Sequence, residues 1–290
     1  HSFPTRRSSD LEHYLSVDRP LDLEVYANRN FTQRDLKRMT RDLTLLSVTG
    51  GGMRRTHTIP NLLREMKQLG VAYSTLLPIE LPVLSHNAET YLRLTAAVPE
   101  LICFGSVHPV NRNNARRLDH QMDMGARGIK IHPAVQLIRP DHPRAMAVYP
   151  LCAARKLPVL FHCGPVGIEL ESGRRRTQVR LYEQPAAENP DCIFVLGHTG
   201  ALQMEQALDL ARRYDNVWLE TASQSLTNVR RIVEEGPPDR IMMGSDWPFY
   251  HQVTAVSKAL LATEGDEQAR RRLLYDNAAR LLGLPPAAPG

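Results

Sequence analysis

Five ionisable residues recur at one kind of place in this sequence. Lys130 and His132 close the apolar run RGIKIHP (127–133), His162 closes LPVLFHCG (157–164), His198 closes CIFVLGHTG (192–200), and Asp246 closes RIMMGSDWPF (240–249). Imidazole nitrogen and carboxylate oxygen are the donors of a catalytic zinc-type site, which takes about three protein ligands and keeps one position for water. His162 and Asp246 suit that need, and Asp246 can also receive a proton from water. His198 fits either as a ligand or as a group that moves a proton. A lone histidine at a strand end is more often a satisfied core side chain than a ligand. Here the contexts HCG, GHTG and GSDWPF repeat at matching places, beside glycines that let backbone turn sharply and approach a ligand closely. A shared metal site is the expectation.

Other residues have a duller reading beside the functional one. Lys130 and His132 are two apart and face the same side of a strand. Lys130 is either a partner for a substrate carboxylate or a solvated charge, and His132, before Pro133, is expected to be structural. Arg174, Arg175 and Arg176 lie between His162 and His198. They read as a solvated charge run, unless one of them, Arg174, reaches inward to bind an anionic substrate through two parallel hydrogen bonds. Trp247 and Phe249 either wall the pocket or simply pack. His57, His86, His108, His120, His142 and His251 have no metal-ligand spacing and are expected on the surface or in loops.

The elements that must position these groups follow a clear rhythm. Seven apolar runs, VAYSTLLPI (71–79), LICFGSVHP (101–109), the four quoted above and NVWLETAS (216–223), alternate with segments of helical period. Among the latter are NLLREMKQLG (61–70), ALQMEQALDLARRY (201–214) and EQARRRLLYDNAARLLGL (267–284). Alternating strands and helices predict a parallel sheet, and a (β/α)₈ barrel fits both the length and the polar strand ends, since such barrels carry their active sites at the C-terminal ends of the strands. Seven runs leave the barrel one strand short. Residues 12–56 hold only the weak strand candidates LDLEVYA (21–27) and LTLLSV (43–48) and read as an N-terminal insertion or remnant; 57–284 is the barrel domain, and 285–290 a Pro-rich tail.

Composition narrows the partners. The formal net charge of +5 is mild and scattered, which argues against a nucleic-acid partner, and no apolar run approaches the roughly 20 residues of a membrane span. Cys103, Cys152, Cys163 and Cys192 form no CxxC pair and sit in or beside apolar runs, so reduced core cysteines and a cytoplasmic setting are expected. The expected partner is a small-molecule substrate, with a homodimer as the expected assembly.

Taken in order, GIKIHP (128–133), PVLFHCG (158–164), FVLGHTG (194–200), NVWLET (216–221), MMGSDWPF (242–249) and DNAARLLGL (276–284) resemble the amidohydrolase superfamily. The nearer likeness is to its amidohydrolase-related branch, which includes aminocarboxymuconate semialdehyde decarboxylase. The resemblance spans roughly residues 57–284 and implies a TIM-type (β/α)₈ barrel with one divalent metal ion, commonly Zn²⁺. By matching position it makes His162 and Asp246 metal ligands, with His198 beside the metal as ligand or proton-transfer residue. It implies hydrolysis of a small carboxylated or cyclic substrate through a metal-activated water, or else non-oxidative decarboxylation, which uses the same constellation.

One departure is large. The family's first strand ends in an H-x-H ligand pair, and H-x-H occurs nowhere in this sequence. The opening HSFPTRRSSDL back-translates to one frame of a widely used sequencing adapter, so residues 1–11 are expected to be an assembly artefact that replaces the first strand and its two histidines. On that reading the chain lacks part of the metal site, and a truncated fragment without activity is the alternative to a hydrolase or decarboxylase.

Overall fold

The computed structural model describes residues 58–81 and 87–286. The segments 1–11 and 12–56, with their two weak strand candidates, lie outside the described residues, as do His57, His86 and the last four residues of the tail.

The described strands are β1 (Ser74–Leu76), β2 (Leu101–Cys103), β3 (Gly105–Ser106), β4 (Ile129–Ile131), β5 (Val159–His162), β6 (Phe194–Gly197), β7 (Val217–Glu220) and β8 (Ile241–Met242). All pair in parallel, β1 with β2 and β3 through β8 in chain order. Only Phe104 separates β2 from β3, and its N–H donates to Leu76 O at 3.0 Å, so the two form one stave of the wall. The seven runs therefore become seven staves of a (β/α) barrel.

Helices fall between them: α1 (Ile59–Leu69), α2 (Asn87–Thr95), α3 (Asn114–Asp123), α4 (Met204–Arg213), α5 (Leu226–Glu235) and α6 (Gln252–Ala262), with shorter helical turns elsewhere. α1 begins on Ile59-Pro60 and stops at Gly70, whose left-handed φ of 67° turns the chain out of the helix. Ser225 caps α5 by accepting the N–H of Asn228. The segment expected to be helical from 201 starts only at Met204, because Thr199, Gly200 and Ala201 all have positive φ.

Period-two alternation divides each strand between two apolar layers. Ile129, Ile131, Val159, Phe161, Phe194, Leu196, Val217, Leu219 and Ile241 face the helices, while Ile102, Phe104, Leu160, Val195, Trp218 and Met242 fill the barrel interior. The register pairs Lys130 with Leu160, Leu160 with Val195 and Val195 with Trp218, so Lys130 belongs to an interior layer that is otherwise apolar. His162 and Glu220, two residues beyond Leu160 and Trp218, stand one layer nearer the C-terminal mouth. All four cysteines are buried and unpaired, as expected of small core residues.

Among the described residues no strand ladder joins β8 to β1. Side chains cross that seam instead. Glu65 of α1 accepts the Trp247 indole N–H at 3.0 Å and the backbone N–H of Gln252, and the Gln252 side-chain amide donates to Ser74 Oγ at 2.9 Å.

Outside the barrel, Phe194 packs edge-on to Tyr149, with ring centroids 5.0 Å apart, and stacks against Phe161 at 6.0 Å. Phe194→Ala should lower the unfolding free energy by about 3–5 kcal/mol, since the surrounding rings cannot close the cavity. Urea denaturation followed by circular dichroism checks this, and a loss below about 1 kcal/mol would show the layer to be loosely packed.

Candidate active site

His162 ends β5, and His198 follows β6 directly. Their rings meet edge to face with centroids 4.8 Å apart, and His198 Nε2 lies 3.1 Å from His162 Nδ1. The far nitrogen of each ring faces an acceptor: His162 Nε2 is 3.4 Å from Glu169 Oε1, and His198 Nδ1 is 3.4 Å from Ala222 O. Burial pushes both imidazoles down to about 4, so both are neutral at pH 7. A neutral ring carries one proton. A proton on either inner nitrogen makes the 3.1 Å contact a hydrogen bond between the rings; with both protons on the outer nitrogens, facing Glu169 and Ala222, the two inner lone pairs are free to share a cation. Metal-bound histidines direct their outer N–H at a carboxylate or carbonyl in this way. Two nitrogens on one ion at about 2.0–2.1 Å lie about 3–3.4 Å apart, so the pair fits a shared divalent metal.

Backbone geometry holds the pair in place. His198, Thr199, Gly200 and Ala201 run through φ values of 60°, 42°, 72° and 49°, which non-glycine residues adopt only under constraint. The constraint comes from Glu220, at the mouth end of β7. Its two carboxyl oxygens accept the backbone N–H groups of His198 (3.0 Å) and Ala222 (2.6 Å), and Gln224 Nε2 donates to His198 O at 2.6 Å. Space is as tight as the bonding. A Cβ on Gly164 would meet Gly200 O at 1.8 Å, and one on Gly244 would meet Glu220 Oε1 at 1.4 Å. The glycines of the HCG and MGSD motifs thus permit close backbone approach, which is what their placement predicts.

Lys130 and Asp246 share the same buried field. Burial lowers Lys130 to about 8, against the pull of Asp246 and Glu220. Burial raises Asp246 to about 6, against the cations it would face at His162 and Lys130. Asp246 itself sits at a φ of 53°, and its Oδ2 accepts the hydroxyl of Ser223 at 3.2 Å. Burial also raises the Glu220 carboxyl, to about 7, although the N–H groups of His198 and Ala222 oppose it.

His132, expected to be structural, stacks flat on His162 with centroids 4.1 Å apart and planes 9° from parallel. Its backbone N–H donates to Gln136 Oε1 at 2.9 Å, and burial keeps its ring neutral. The alternation with Lys130 had already placed it on the inward face. His108, expected on the surface or in a loop, lies in a loop but is buried, with Nε2 2.9 Å from Gln136 O. Glu169 and Glu220 join the cluster without having been expected there. Glu169 lies in an aperiodic segment; burial would raise it, but the hydrogen bonds from His162 and the Val166 N–H bring it to about 2.

Two expected substrate contacts take no part in the cluster's hydrogen bonds. Arg174 is exposed on the short helix Glu171–Thr177 and reaches only Gly167 O, at 3.5 Å. Trp247 packs on the Leu62–Met66 cluster of α1 and donates to Glu65. Among the described residues no three His, Cys, Asp or Glu side chains are already gathered as a metal cage, because Asp246 is turned to Ser223 while the histidines face each other.

In Glu220→Gln one acceptor oxygen becomes an NH₂ facing an N–H donor. Stability should fall by about 1–3 kcal/mol and the ring signals of His198 should move in an NMR spectrum. Unchanged stability together with an unchanged His198 environment would show that the turn holds itself.

The family model described as Amidohydrolase matches residues 83–284. A comparison with curated proteins finds no match. Among solved structures, 5-carboxyvanillate decarboxylase from Sphingomonas paucimobilis superposes with a TM-score of 0.65 at 16% identity, covering 91% of this chain and 95% of that one. The same enzyme from Novosphingobium aromaticivorans, complexed with manganese and 4-hydroxy-3-methoxy-5-nitrobenzoic acid, gives 0.65 at 16%, covering 90% and 92%. A probable 2-pyrone-4,6-dicarboxylic acid hydrolase from Acinetobacter baumannii, with citric acid bound, gives 0.60 at 16%, covering 78% and 89%. These likenesses are of fold. The family model spans most of the chain, including every strand from β2 to β8 and all the residues of the histidine cluster, and so the chain belongs to the amidohydrolase family.

Proposed function

We propose that this amidohydrolase-family protein is a metal-dependent hydrolase of a small carboxylated or cyclic substrate. The observation that carries the reading is the pair of neutral imidazoles whose inner nitrogens face each other across 3.1 Å while their outer nitrogens face acceptors. His162, His198 and Asp246 would hold one divalent ion, with zinc the natural match to imidazole and carboxylate donors. When bound, the ion supplies Lewis-acid polarisation of a substrate carbonyl.

The remaining chemistry belongs to the chain's own groups. Asp246, near 6, is ionised at neutral pH yet basic enough to take the proton of an attacking water. Asp246 then passes that proton to the departing oxygen or nitrogen, while His198 stays neutral and is oriented by its contact with Ala222 O. Lys130 is cationic at neutral pH and buried among apolar neighbours, where a substrate carboxylate would be its strongest partner. Non-oxidative decarboxylation draws on the same groups, with Asp246 in its protonated form delivering the proton to the carbon that loses CO₂.

Two measurements test the reading. Metal content per chain, by mass spectrometry after growth with zinc or manganese, should approach one in the wild type and fall several-fold in His162→Ala and Asp246→Ala; full metal in both variants overturns the ligand assignment. Carboxylated lactones and hydroxylated benzoates should then be assayed side by side. Acid release from a lactone supports hydrolysis, whereas CO₂ release from a benzoate alone overturns it in favour of decarboxylation.

A further inference from the structure

We propose that Glu169 is a positioning residue that fixes the proton of His162 on Nε2, so that in the metal-free chain the contact between the rings is a hydrogen bond given by His198 Nε2 to His162 Nδ1. The two rings face the same choice of tautomer with unequal partners. His162 Nε2 lies 3.4 Å from Glu169 Oε1, and the Glu169 side chain is 8% exposed. The loop that carries Glu169 also holds both its oxygens: Oε1 accepts the Val166 N–H at 2.8 Å, and Oε2 accepts the Gly167 N–H at 2.9 Å. Such donors favour the ionised carboxylate, which can only accept. No lysine or arginine pairs with it among the described residues, so the His162 ring is the side chain that must bring it a proton.

His198 has the weaker outward hold. Its Nδ1 faces Ala222 O, a neutral carbonyl, at 3.4 Å. A hydrogen bond to an ionised acceptor is about twice as strong as one between neutral groups. With one proton on each ring, placing both outward opposes two lone pairs across 3.1 Å, whereas turning one inward makes a hydrogen bond there. The ring that turns its proton inward is the one that gives up less, and that is His198. The backbone of His162 is held as well, since the Tyr182 hydroxyl donates to His162 O at 2.8 Å. One consequence rests on the metal-dependent reading above: when an ion binds, His198 loses the proton on Nε2 and gains one on Nδ1, remaining neutral, while His162 keeps its tautomer.

NMR spectra that correlate ring nitrogens with ring protons read each tautomer directly in the full chain, freed of metal by a chelator at neutral pH. The two rings are assigned by loss of their signals in His162→Gln and His198→Gln. Both should carry the proton on Nε2, and a proton on Nδ1 of either ring overturns the proposal. In Glu169→Ala most chains should lose the Nε2 tautomer of His162, and Glu169→Gln, which keeps an acceptor oxygen, should restore it. Persistence of that tautomer in Glu169→Ala shows that Glu169 does not fix it and overturns the proposal. Should the alanine variant fail to fold, the wild-type spectrum decides alone. Added Zn²⁺ should move the His198 proton to Nδ1 and leave His162 unchanged, and a tautomer change at His162 instead overturns the division between the rings. A chain that takes up no zinc yet shows both rings protonated on Nε2 upholds the proposal and counts against the metal reading alone.

Discussion

The carboxyl group of Glu220 takes two backbone N–H groups, one from the turn after β6 and one from the chain after β7, and the geometry of the mouth follows from that grip. Without it, His198 and its successors would have no reason to hold left-handed backbone, and the ring of His198 would not meet His162. Glu220 can serve because it is short of competitors. It projects inward from β7, one layer above Trp218, where it is partly buried and Gly244 leaves room for its oxygens. The cost is a carboxyl group whose ionisation is resisted by burial and whose charge, when present, is felt by Lys130.

The same burial that fixes the geometry sets the protonation states. Imidazoles that titrate near 4 offer lone pairs at neutral pH, a carboxyl near 6 can both hold charge and accept a proton, and a lysine near 8 keeps its charge with little to spare. These states suit the proposed hydrolysis and decarboxylation alike, and all of them arise from desolvation more than from any single partner.

Much of this was legible in the residues. Strand runs ending in His162, His198 and Asp246 pointed to the barrel and to the strand ends where these groups lie, because period-two burial and C-terminal placement are properties of short local segments. The glycines of HCG and MGSD were readable for the same reason. Glu169 and Glu220 were not, since their roles depend on which backbone N–H groups lie across a loop, and no spacing encodes that. His132 was placed on the inward face and expected to be structural; which ring it packs on was not legible, because stacking on His162 depends on the register between β4 and β5. For Arg174 and Trp247 chain position left both a pocket role and a plain surface or packing role open, and each has a local partner: the Gly167 carbonyl for the arginine, the Glu65 carboxylate for the indole.

The seam between β8 and β1 is closed differently from the rest of the barrel. Everywhere else in the described wall, neighbouring staves are joined by repeated backbone hydrogen bonds, each supporting the next. Across this seam the described residues are joined by side chains: Glu65 meets Trp247, His251 and Gln252, Gln252 meets Ser74, and Trp247 packs on Leu62 and Met66. Asp246 is in the loop directly after β8 and shares that loop with Trp247, which is fastened to Glu65. The carboxylate of the candidate site therefore sits where side chains close the described wall, while both histidines stand on or directly after strands that are paired on both sides.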